Sequence, residues 1–116
     1  IQSVRIALCT DFPVEEVNPF LTFYAAVARQ DQEAFPEGGY LPQNKLTRME
    51  TLRGMTLWGA YANFEEDQKG SIEVGKVADF VILDRDIILI SEKKIPKTRI
   101  VATFLNGNIV YGNRIN

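Results

Sequence analysis

The sequence predicts an α/β fold, and three observations carry that prediction. An apolar run at residues 4–9 reads as a strand. Two later stretches combine N-cap signals with apolar residues at helical spacing. The last third alternates short apolar runs with turn residues and reads as all-β.

The bounds come from composition. The chain has 116 residues, about one domain's worth. Apolar residues make up 46 % and charged residues 24 %, which excludes intrinsic disorder. Thirteen Lys and Arg face fifteen Asp and Glu, for a net charge of −2. That balance argues against nucleic acid as a partner, because few phosphate counterions could be released. No apolar run is long enough to cross a bilayer, so no membrane partner is expected either. One cysteine makes no internal disulfide. The absence of histidine excludes a self-contained Ser-His-Asp or Cys-His site and any imidazole zinc site. Catalysis by this chain alone would have to use carboxylates, lysine, hydroxyls or the thiol.

The elements follow in order. V-R-I-A-L-C at 4–9 is apolar at all positions but Arg5, the pattern of a strand buried on both faces. Pro13 stops it. Asn18-Pro19 is an N-cap and N1 pair, and Phe20, Phe23, Tyr24 and Val27 fall on one helical face. Prolines and a Gly-Gly pair at 34–44 forbid regular structure. Thr47 and Glu50 form a capping box that starts a helix at Arg48, running to about Ala62. Its expected buried side carries Met49, Leu52, Met55 or Thr56, Gly59 and Ala60. Residues 73–76 fit a turn with Gly75 at positive φ. Residues 79–84 read as a strand with acidic ends. Asn106-Gly107 between two apolar runs is a strong hairpin signal. The opening Ile1, without a lead-in, predicts a fragment of a longer polypeptide, and the compartment is left undefined.

Asp11 is the leading chemical candidate. It ends the apolar strand, where α/β folds place ligand and catalytic groups. There a carboxylate could bind a divalent metal or shuttle a proton; a turn-forming Asp before proline is the plainer alternative. Glu15 and Glu16 precede a helix and are read as favoured by its macrodipole. Cys9 is read as a small buried hydrophobe. Gly70-Ser-Ile-Glu-Val-Gly75-Lys76-Val77 is nearly a phosphate-binding P-loop. Val77 lacks the required hydroxyl and a strand follows instead of a helix, so nucleotide binding is rejected. Tyr40 lies in the Gly-Pro-rich loop and is a plausible ligand contact.

Several strings together resemble a known family. They are T-D-F-P-V-E at 10–15, N-P at 18–19, A-A-V-A-R-Q-D at 25–31, G-G-Y-L-P at 38–42 and L-T-R-M-E-T-L-R at 46–53. G-S-I-E-V-G-K-V-A-D-F-V-I-L-D at 70–84 and V-A-T-F-L-N-G-N-I-V-Y at 101–111 complete them. In collinear order they resemble the C-terminal portion of metal-dependent amidohydrolases of the YtcJ-like and N-acyl-D-amino-acid-deacylase-like branch. The resemblance implies a parent with a (β/α)8 TIM barrel plus a small β-sandwich. Residues 1–69 would end the barrel with its last strand, loop and helices, and 70–116 would supply sandwich strands. It implies hydrolysis of carbon–nitrogen, non-peptide, amide-like bonds in a small-molecule substrate.

In that family the residue matching Asp11 contacts a catalytic divalent metal, zinc for preference, and serves as acid–base for the attacking water. Cys9 and Thr10 stand where members usually carry a small residue and Ser. Phe12, Val14 and Asn18 would line the pocket mouth, and Tyr40 would fold over it. The family's histidine ligands are not in this chain. The 116 residues alone are therefore expected to be inactive and to hold no metal stably. The alternative is a non-catalytic binding or regulatory protein, exoenzyme-regulator-like, that retains the fold. A proteolytic remnant would instead self-associate through an exposed strand edge at residues 4–8.

Overall fold

The computed structural model describes residues 4–112. Three α-helices are α1 (Pro19–Ala28), α2 (Arg48–Met55) and α3 (Leu57–Ala62). Three strands are β1 (Phe80–Leu83), β2 (Ile100–Leu105) and β3 (Asn108–Gly112), and two 3-10 turns lie at Pro42–Asn44 and Glu92–Lys97. This is the α/β content expected. Among the described residues no helix is long and apolar enough to cross a membrane.

Helix α1 begins where the Phe20 N–H donates to Asn18 Oδ1 at 3.0 Å. Phe20, Phe23, Tyr24 and Val27 are buried as their spacing predicts, with Ala28 beside them. The helix ends at Arg29, a left-handed cap (φ 57°) whose N–H donates to Ala25 O at 2.9 Å. Helix α2 opens on the predicted capping box. The Glu50 N–H donates to Thr47 Oγ1, and the Thr47 N–H donates back to Glu50 Oε2.

The single helix expected from Arg48 to about Ala62 is broken at Thr56. The Thr56 hydroxyl donates to Leu52 O at 2.8 Å, the kind of back-bonding that bends a helix. Met49, placed on the buried side by spacing, is exposed instead.

The core joins α1 to the segment after β1. Phe23, Tyr24, Val27 and Ala28 meet Ile87 and Ile95, with Leu52, Met55 and Leu83 packed against them. Among the described residues, six of the nine buried hydrophobic side chains belong to this cluster. The antiparallel sheet has the order β1-β2-β3. Asn106 (φ 49°) and Gly107 (φ 75°) make the hairpin turn between β2 and β3; two positive φ values in a two-residue loop are what a type I′ turn needs. The turn at 73–76 also forms, with the Lys76 N–H donating to Glu73 O and Gly75 at φ 93°.

The expected strand at 4–9 makes no ladder. Its residues are extended but largely exposed, because no strand among the described residues lies beside them to take up their N–H and C=O groups. Cys9 is exposed, not buried.

Candidate functional site

Asp11 follows this extended segment in the left-handed region (φ 54°), a conformation aspartate tolerates better than most residues. The Val14 N–H donates to its carbonyl at 2.8 Å, and the Phe12 N–H donates to Thr10 Oγ1 at 3.3 Å. The chain therefore turns sharply at Asp11.

A cleft of about 710 Å³ opens between this turn and α1. Cys9, Thr10 and Asp11 line one side, together with Glu15 and Glu16. Arg29, Gln30 and Asp31 line the other. Asp11, Glu15, Glu16 and Asp31 thus share the lining with one guanidinium, that of Arg29. Arg29 is itself held: its Nε donates to Tyr40 O at 3.0 Å, and the Tyr40 N–H donates to Arg29 O at 2.7 Å. The Tyr24 hydroxyl donates to Gln30 Oε1 at 3.1 Å. Burial, and then the charges of Glu92 and Asp31, push its pKa up, so it stays a neutral donor.

The other candidates lie apart from this lining. Phe12 and Val14 project into solvent, 64 % and 77 % exposed. Asn18 is engaged as the α1 cap. Tyr40 is 62 % exposed and its ring lies 5.8 Å from the Arg29 guanidinium. Sequence reasoning did not single out the Arg29–Asp31 wall. The one signal for it was the A-R-Q-D run, polar just where α1 runs out of apolar positions.

Among the described residues, no group of three or more His, Cys, Asp or Glu side chains converges to hold an ion. Cys9, Asp11, Glu15 and Glu16 share a cleft without forming a coordination sphere, and a site needs at least three protein donors. The described residues of this chain do not by themselves fit a metal centre.

A second, smaller depression of about 250 Å³ lies against α3, lined by Arg5, Trp58, Tyr61 and acids that include Glu66. The Arg5 guanidinium stands 4.1 Å from the centre of the Tyr61 ring.

Comparison with known proteins covers nearly the whole chain. Residues 2–111 match the model of the amidohydrolase family. The N-substituted formamide deformylase of Arthrobacter pascens is 31 % identical over 108 residues, covering 93 % of this chain and 19 % of that protein. A Bacillus subtilis (strain 168) protein named as an amidohydrolase, YtcJ, is 30 % identical over 102 residues, covering 88 % and 19 %. The chain thus spans about a fifth of the length of these curated relatives. In fold it is similar to a crystal structure of an amidohydrolase from Thermotoga maritima MSB8 (TM-score 0.66, 22 % identity), over 95 % of this chain and 24 % of that one.

Proposed function

The chain belongs to the amidohydrolase family, and from that premise we propose that it is the C-terminal piece of a metal-dependent hydrolase acting on amide-like, non-peptide C–N bonds. In this reading residues 1–69 close a (β/α)8 barrel and residues 70–116 contribute strands to a small β-sandwich. The observation that carries the proposal is the position of Asp11. Within a family match over residues 2–111, it is the acid that ends the segment at 4–10 and lines the cleft beside α1.

The role proposed for Asp11 is proton transfer. Its carboxylate takes a proton from the attacking water and returns it to the leaving nitrogen, the work of a positioned general base and acid. Thr10 and the Val14 N–H fix the turn that aims it. The divalent ion belongs to the whole protein, since Asp11 offers one donor and its neighbours do not complete a set. The substrate would be a small molecule; the deformylase relative makes N-substituted formamides the first class to try.

The test uses the full-length gene product. Its metal content and its turnover of a panel of N-substituted formamides and N-acyl amino acids are measured beside those of Asp11→Asn. Asparagine tolerates the left-handed backbone, so the variant keeps the fold. The expected result is a stoichiometric divalent ion in the wild type and a loss of turnover of roughly 10²–10⁴-fold in the variant. Equal turnover in both proteins sinks the role of Asp11. A metal-free, inactive full-length protein favours a binding or regulatory role on the same fold.

A further inference from the structure

We propose that Gly54, with Tyr61 as a second anchor, positions Asp11 by docking the extended segment at 4–10 onto the α2–α3 shelf. The proposal rests on the reading of Asp11 as the reacting carboxylate. Neither Gly54 nor Tyr61 lines the cleft, so both act through the segment and not on a substrate.

Three contacts carry it. The Leu8 N–H donates to Gly54 O at 2.9 Å, the one backbone bond among the described residues that ties 4–10 to another element. The fit there has no spare room. A Cβ at position 54 would stand 2.9 Å from Ile6 O and 3.0 Å from Leu8 Cγ and Cδ1. Arg5 adds its guanidinium over the Tyr61 ring, three residues before Leu8.

Helix α2 does not need this glycine for its own conformation. Gly54 is a buried position in the last turn of α2, where its negative φ needs no glycine and glycine is a poor helix former. The close approach of the segment is what a side chain would prevent. The helix is also the less movable partner. It is pinned by its capping box, by the buried Thr51 hydroxyl on Thr47 O, and by Leu52 and Met55 on the core. An added methyl group would therefore displace the segment, and Asp11 lies three residues beyond Leu8.

Gly59 supplies a control. A Cβ there meets nothing nearer than Gly54 O at 4.0 Å.

The experiment is hydrogen exchange by mass spectrometry on the full-length protein, with kcat and KM for N-substituted formamides measured alongside. In Gly54→Ala, the Leu8 amide, followed in peptides over 4–11, should exchange on the order of tenfold faster, the scale of an overpacked contact. Peptides over 48–55 should keep wild-type protection, and kcat should fall with KM little changed. Gly59→Ala should alter neither. Tyr61→Leu changes a half-exposed side chain and spares the helix; it should raise exchange over 4–11 by about two- to fivefold, the worth of an exposed cation–π contact.

Unchanged exchange over 4–11 in Gly54→Ala overturns the proposal. So does equal loss of protection over 48–55, which would make Gly54 a residue of the helix alone. If Gly54→Ala does not fold, Tyr61→Leu decides by the same two readouts. Asp11→Asn separates this proposal from the reading beneath it. It should leave exchange over 4–11 untouched, so wild-type turnover in that variant counts against the catalytic reading while the exchange result still decides whether Gly54 holds the segment.

Discussion

Asp84 holds Arg99 at two points: its Oδ1 accepts the Arg99 backbone N–H at 3.0 Å and its Oδ2 accepts Arg99 Nε at 3.2 Å. Arg85 donates from Nε and Nη2 to the same carboxylate at 2.8 and 2.7 Å. The cluster closes the end of β1 against the start of β2, beside the register shift at Ile82/Leu83. The Arg85 hydrogen bonds first, and then the Arg99 backbone N–H, hold the Asp84 carboxyl well below the usual carboxylate range. A depressed folded-state pKa stabilises the fold above the unfolded value, about 3.9, and that contribution is lost as pH falls below it. Asp84→Asn should therefore lower the thermal midpoint at pH 7, and the gap to wild type should narrow below about pH 4. Melting curves across that range check it; a constant gap would remove the linkage.

The capping box at the start of α2 makes a separate prediction. Thr47→Ala leaves the Glu50 N–H without its side-chain acceptor and should cost about 1 kcal/mol, read from urea unfolding. Thr47→Ser keeps the hydroxyl and should recover most of it. The Thr47 hydroxyl also donates to Glu50 Oε2 at 2.7 Å and, with the Thr47 N–H, draws the Glu50 pKa down. The cap should accordingly weaken in acid, as Glu50 becomes protonated.

What could be read from sequence was what local chemistry decides. Asn18-Pro19, the Thr47–Glu50 pair and Asn106-Gly107 each satisfy or shape their own neighbourhood, and each appears as expected. The acidic ends of β1 were legible as acids but not as clamps. Asp79 accepts the Asn106 N–H at 2.7 Å, a partner 27 positions away. The break at Thr56 turns on which way one hydroxyl points, which spacing does not encode. The run at 4–9 has the composition of a buried strand, but composition does not supply neighbouring strands. At the candidate site, the place of Asp11 beside the cleft was legible from its position after an apolar run. The opposite wall was not, because Arg29 and Asp31 reach the cleft only through the left-handed turn that ends α1.

Two glycines at similar φ should respond differently to alanine. Gly75 (φ 93°) has open space where a Cβ would go, so Gly75→Ala should cost only the left-handed strain, about 1–2 kcal/mol. Gly112 (φ 86°) pairs with buried Ala102, and its Cβ would fall against Val101 O. Gly112→Ala adds that clash to the strain and should lose the β2–β3 pairing before the helices melt. Urea unfolding gives the ranking, and equal losses would mean that the β3 end moves aside freely.

The core predicts the largest single loss. Phe23 is 2 % exposed and packs in one cluster with Ile95, which is fully buried. This contact joins α1 to the 3-10 turn at Glu92–Lys97, two elements about seventy residues apart that no local signal would bring together. Phe23→Ala removes a ring from a packed interior and should cost about 3–5 kcal/mol. Phe64, at 91 % exposure, is the matched control, and Phe64→Ala should change stability by no more than about 0.5 kcal/mol. Thermal and urea unfolding of both variants measure the difference. A small loss at Phe23 would mean that the α1 cluster is not what holds the helices to the sheet.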